Sequence, residues 1–150
     1  MLPAADWLAV VRNAPLVSID LILVDPAERI LLGWRNNEPA RNTWFVPGGA
    51  IRKSERLDDA FRRIAQTELG LQLERRQAQL LGVYEHFYDS NFAGATDVGT
   101  HYVVMAYRCA ISQMPTLADA QHHELRWFSR DELFAEPAVH ANTRAYFVAS

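Results

Sequence analysis

Two stretches of this 150-residue chain gather residue types that can do chemistry. In the first, 45–71, an apolar run ends at Pro47, Gly48 and Gly49 follow, and a helical pattern continues to Gly70. Leu57, Phe61 and Ile64 recur at helical spacing and define a face turned toward a core, and Glu68 falls on that same stripe. A carboxylate stripped of water is costly unless a cation or a set of donors replaces its hydration. Its partner is either an arginine such as Arg63 or a divalent metal, to which the glycine turn can add a bare carbonyl oxygen. The second stretch is Gln121-His122-His123-Glu124. Histidine titrates near neutrality, so one placed at a water or a sugar hydroxyl can serve as general base. Adjacent histidines on an extended segment point opposite ways, so only one can face a given cleft; two surface histidines are the plain alternative.

Other residues stand where a polar cleft could use them. Asp20 interrupts an apolar run and either faces solvent or lines a polar cavity. Arg35 follows a strand beside the glycine turn, where its planar fork suits phosphate oxygens. The segment 84–102 interleaves aromatic rings, histidines, Asp89 and Asn91 and reads as a long loop, either a ligand lining or simply well packed.

The elements that must position these groups follow from pattern. Residues 6–12 suit a short helix ended by Asn13-Ala14-Pro15; 16–24 and 29–34 read as a hairpin turned at Asp25-Pro26; 44–46 is a short strand delivering the glycines. Ser54 is the expected N-cap of the next helix, Glu55 a first-turn acid, and Gly70 its left-handed C-cap. Strands are expected at 80–87, at 101–111 (central, buried on both sides) and at 125–128, with Ser129 capping a helix and 142–148 helical. Residues 140–147 read as packing and capping.

Composition narrows the class. With 49% hydrophobic residues the chain is long enough for one core, and a net charge of -3 argues against a nucleic-acid surface. No apolar run of membrane-spanning length and no signal segment appears, and the lone Cys109 lies in an apolar run as an expected buried, inert thiol; a reducing cytoplasm fits both.

The helix stretch resembles the Nudix box, G-x5-E-x7-R-E-U-x-E-E-x-G-U with U aliphatic. Gly49, Glu55, Arg63, Glu68, Gly70 and Leu71 match it, Ala65 is a small stand-in for U, and Ile64 and Thr67 replace two of its acids. The resemblance implies one α/β domain, 1–150, in which helices sandwich a mixed β-sheet. The segments PLVSID, WFVPGGA, HFYDSNFAGATD, THYVV, QHHELRWF and VHANTRAYF are similar to the GDP-mannose mannosyl hydrolase branch of that family. That likeness implies water attack at the anomeric carbon with inversion and release of GDP. It implies one Mg2+ per subunit, replaceable by Mn2+, held by Gly48, Glu68 and Gln121, with His122 as base. It implies that Arg35 and Tyr102 donate to the diphosphate, that Asp20 lies at the sugar or near the base, and that Asp6, beside Trp7, accepts from the guanine edge. It also implies a homodimer with the N-terminal segment near the partner. Ala50 and Trp34 depart from the branch, which has an arginine and a basic residue there. A conventional pyrophosphohydrolase and a catalytically silent nucleotide-binding module are the competing readings.

Overall fold

A computed structural model describes residues 2–112 and 124–148. The elements run α1 (Ala4–Asn13), β1 (Leu16–Val24), β2 (Ile30–Trp34), β3 (Trp44–Phe45), β4 (Gly48–Ala50), α2 (Leu57–Leu69), β5 (Gln79–Tyr88), β6 (Thr100–Ala110), β7 (Leu125–Phe128), α3 (Arg130–Ala135) and α4 (Ala141–Arg144). Short 3-10 turns occupy Arg75–Gln77 and Ala145–Phe147. The strands form one mixed sheet in the order β3-β2-β1-β6-β5, with β4 also paired to β1 and β7 to β2. It is the α/β architecture expected, with helices on both faces.

The strand β6 is interior as expected, lying between β1 and β5, but the strand buried on both faces is β1. Eight of the nine β1 residues are buried, in the pattern of a strand covered on both faces, whereas several β6 residues are only half-buried. The expected hairpin is loose, because β1 and β2 pair only at Val24 and Ile30, while β1 runs parallel to β6 throughout. The other face-to-face contacts divide cleanly. On one side Phe61, Ile64, Ala65 and Leu69 of α2 pack on Ile19, Leu21 and Leu23; on the other Phe128, Leu133, Val139, Tyr146 and Phe147 pack on Ile22 and Leu32.

Two details of the helix stretch differ from expectation. Ser54 is not the N-cap of α2: its φ is 65°, it lies in the turn before the helix, and Arg56 is the extended residue from which α2 starts. Glu55 therefore precedes the helix and is no first-turn acid. Leu57 sits at the exposed edge of the α2 stripe, because the chain has only just entered the helix there. Gly70, with φ 65°, is the left-handed C-cap expected. Ser129 likewise caps α3, in a full capping box with Glu132.

Candidate active site

Gly48 is where the site starts. Paired across β1 with Asp20, it would place a Cβ 2.3 Å from Asp20 Oδ1 and 2.5 Å from the Ile19 carbonyl oxygen, so the sheet closes there only around a bare backbone. The flanking bonds Leu21 N to Pro47 O and Ile51 N to Val17 O make Asp20 and Gly48 a non-hydrogen-bonded pair. The Gly48 carbonyl consequently turns away from β1 and is not consumed by that ladder.

Two adjoining cavities meet at this turn. The smaller, about 70 Å³, is lined by Gly48, Glu68, Arg35 and Trp34 among others. Glu68 is half-buried, and withdrawal from water raises its pKa while the charges of Arg35 and Arg63 oppose the rise. Arg63 itself is committed elsewhere: its Nε and Nη2 grip Glu55 at 2.8 and 2.9 Å, and Nη2 also donates to the Ala50 carbonyl. Of the two partners open to Glu68 in the sequence, Arg63 thus contributes charge at a distance and binds Glu55 directly. Among the described residues no cluster of three or more His, Cys, Asp or Glu side chains forms. An ion in this cavity would be held by one carboxylate, a backbone carbonyl and neutral oxygens, a donor set that suits a hard divalent cation such as Mg2+.

The larger cavity, about 140 Å³, is lined by Asp20 of β1, His86 and Tyr88 of β5, Tyr102 of β6, Arg35 and Phe45. Tyr84, His86 and Tyr88 alternate inward on β5, which extends the expected strand 80–87 by one residue at each end, so the loop within 84–102 is 89–99. There the buried Asn91 organises the backbone, bonding Ala93 N, Ala95 N, Ala95 O and Val98 O. Arg35 spans both cavities. Its Nε donates to the Pro39 carbonyl at 2.8 Å, which fixes the guanidinium, and its charge bears on Asp20, Glu68, Tyr102 and His140.

Asp20 is buried, and desolvation pushes its pKa up to about 7, with a hydrogen bond from Tyr146 and the Arg35 charge only partly offsetting. Burial lowers His86 to about 4, so its imidazole is neutral at pH 7. The Tyr88 and Tyr102 hydroxyls are raised by the same cause and remain protonated donors.

Sequence reasoning placed Asp20, Arg35, Tyr102, Gly48 and Glu68 together, and the fold gathers all five around the glycine turn. Asp6 is exposed on α1 and lines neither cavity, while Trp7 packs beside Phe92 in the small cluster that also touches Tyr102. Gln121 and His122 lie outside the described residues. His86 stands on the strand expected at 80–87 and in the segment weighed as a ligand lining, though it was not singled out; missed was the C-terminal stretch, read as mere packing. Tyr146 from that stretch donates to Asp20 Oδ2 at 2.5 Å, and its oxygen lies 3.3 Å from His86 Nε2. His140 stacks near Phe45 and Tyr88, with ring centroids 5.4 and 5.3 Å away. The alternation of 84, 86 and 88 was the available signal for His86; nothing local marks Tyr146. Cys109 is buried with its thiol raised to about 12, inert as expected.

Comparison with known proteins agrees with this geometry. The NUDIX domain model matches residues 14–150. The low-salt glycan biosynthesis protein Agl8 of Haloferax volcanii is 41% identical over 127 residues, 85% of this chain and 79% of its own length. A MutT NUDIX hydrolase from Burkholderia pseudomallei superposes with a TM-score of 0.70 at 31% identity, covering 89% of this chain and 96% of that one. The MutT protein of Methanosarcina mazei has the same fold, with a TM-score of 0.69 at 16% identity over 90% of this chain and 92% of its own. Nudix hydrolases typically use a divalent metal, and the oxygen donors at Gly48 and Glu68 fit one. A glycine turn, a following helix with its Glu55–Arg63 pair, and a match over nearly the whole length make one conclusion: the chain belongs to the Nudix hydrolase family.

Proposed function

We propose that the protein hydrolyses a nucleotide diphosphate sugar at the sugar carbon, with GDP-mannose as the substrate and GDP-glucose as its closest competitor. The observation that carries this reading is the division of the acids: Glu68 lines the smaller cavity and Asp20 the larger, with Arg35 between them. Phosphorus chemistry in this family draws on further acids at the helix, where this chain has Ile64 and Thr67. A cavity walled by Phe45, His86, Tyr88 and Tyr102, with one carboxylate at its floor, suits a monosaccharide: rings for its apolar face, polar groups for its hydroxyls. The glycan-related relative points the same way.

In this scheme Gly48, Glu68 and Gln121 hold Mg2+, which when bound stabilises the negative charge of the departing diphosphate. Arg35 and Tyr102 donate to the diphosphate as its charge grows, and Asp20 holds the sugar. His122 takes the proton from the attacking water. Asp6 and Trp7 receive the base. Product analysis with GDP-mannose and Mg2+ tests the scheme. GDP plus free mannose, with label from oxygen-18 water in the sugar, is expected; GMP plus mannose 1-phosphate establishes the pyrophosphohydrolase instead, and no turnover a binding module. His122→Ala is expected to lower turnover at neutral pH at least about tenfold with GDP binding retained, and unchanged turnover removes His122 from the scheme.

A second copy of the chain is the proposed partner. Among the described residues β5 ends the strand order and exposes Leu81, Val83 and Phe87, an apolar edge suited to pairing with its like. Sedimentation at micromolar concentration is expected to report a dimer. The workplace of such an enzyme is the cytoplasm, where nucleotide sugars are at hand. Among the described residues no helix is long and apolar enough to cross a membrane.

A further inference from the structure

The C-terminal stretch touches the larger cavity from behind without lining it. Tyr146 is buried, its ring set edge-on to Tyr84 at 4.7 Å and tilted against His86 at 5.6 Å, with Phe147 beside it at 6.4 Å. So pinned, the ring leaves its hydroxyl one place to be. That hydroxyl donates to Asp20 Oδ2, and the oxygen then presents a lone pair toward His86 Nε2. The other Asp20 oxygen lies over the bare backbone of Gly48, within 2.3 Å of where a Cβ would stand. Each end of the carboxylate therefore has a fixed neighbour, one supplied by β4 and one by a residue 126 positions away.

We propose that Tyr146 is a positioning residue for Asp20, holding the carboxylate in the orientation in which it receives the sugar. The proposal rests on reading the larger cavity as the sugar's. Tyr146 meets two groups that line the cavity, Asp20 and His86, and so acts on the substrate only through them. Without the hydroxyl, Asp20 Oδ2 is left buried without this donor and free to turn. The substrate must then order it anew in the transition state.

Tyr146→Phe preserves the ring packing and deletes only the donor. Expected is a fall in kcat of roughly 10- to 100-fold, the usual cost of losing a group that orients a site residue, with KM little changed and a native circular dichroism spectrum. In an Asp20→Ala background the same substitution is expected to have no further effect, because the group it positions is gone. A merely structural tyrosine would give losses that multiply in the double variant. Multiplying losses, or wild-type kcat in Tyr146→Phe, overturn the proposal. Products are identified in the same assay: release of GMP by the wild type sinks the sugar-carbon chemistry, while the coupling between Tyr146 and Asp20 still decides the positioning role. If the wild type binds GDP-mannose without turnover, the proposal is overturned, because an orientation that matters in the transition state then has no reaction to serve.

Discussion

Glu55 and Asp20 are both carboxylates largely withdrawn from water near an arginine, and they are pushed in opposite directions. Glu55 accepts two bonds from the Arg63 fork and a third from the Arg52 backbone N–H, and these donors hold it at about 2. Asp20 is more deeply buried, accepts a side-chain hydrogen bond from Tyr146, and feels Arg35 only across a distance; it stands at about 7. The balance between desolvation and donors decides each case. The first acid is spent on structure, tying the glycine turn to α2 with help from the Arg63–Ala50 bond. The second stands at a cavity floor with too few donors to offset its desolvation, the kind of cost that functional sites concentrate.

Asp20→Asn tests that contrast most severely. Turnover is expected to fall about 100-fold, the scale on which one preorganised polar contact in a dry site works, as read from kcat/KM. Stability is expected to move the other way. A carboxyl whose folded pKa lies above the unfolded value binds its proton more tightly when folded. The wild type therefore carries no penalty below about 3.8, and the penalty grows until the pH passes about 7. At pH 8 the asparagine variant is thus expected to be more stable by about 1–3 kcal/mol in urea titrations, and equal to wild type at pH 3.5. An Asp20 that served structure would lose stability at every pH.

Glu68→Gln probes the other cavity. Its raised pKa has the same first cause as that of Asp20, burial, but here the expected compensation is a cation. Turnover at fixed Mg2+ is expected to drop roughly 10- to 100-fold, with the metal titration shifted to higher concentration. An unaltered metal titration would reduce Glu68 to a neighbour of Arg35. Gly48→Ala follows, reading the seam between the two cavities. Its Cβ would meet the Ile19 backbone, which has no flexible end to move aside, so β4 must shift from β1 at a cost of about 1–3 kcal/mol in unfolding free energy.

What the sequence disclosed divides along the same line. The Glu55–Arg63 pair, Gly48, Glu68 and the helix C-cap at Gly70 lie within one short window, where spacing along a helix translates directly into spacing in space. The amphipathic stripe of α2 and the capping box at Ser129 were readable for the same reason. Ser54 was misjudged because an Asx-like cap residue and a left-handed turn residue look alike in sequence, and only the φ of 65° separates them. The interior place of β6 was legible from its apolar length, but its full burial on both faces was not borne out, since apolar content alone does not reveal which strand the helices cover twice. His86 was within local reading, since it alternates with Tyr84 and Tyr88 on an expected strand. Tyr146 was not, because it reaches Asp20 across most of the chain, through a sheet whose order no short window encodes.

The smallest expected effect falls on Glu55, the acid whose needs are already met. Glu55→Gln keeps the shape and removes the charge, so Arg63 retains a weaker partner and a loss of about 1–2 kcal/mol is expected at pH 7. Its folded pKa is depressed, so the stabilisation is fully present above the ordinary glutamate value of 4.5 and is lost as the pH falls toward about 2. Urea titrations of wild type and variant should therefore run parallel from pH 8 to pH 5 and converge near pH 2, the reverse of the pattern expected at Asp20. Activity should track only the folded fraction, because Glu55 faces α2 and Arg63 and lines neither cavity. A kcat loss in Glu55→Gln at full folding would erase the division between the two acids and make the ion pair itself part of the catalytic apparatus.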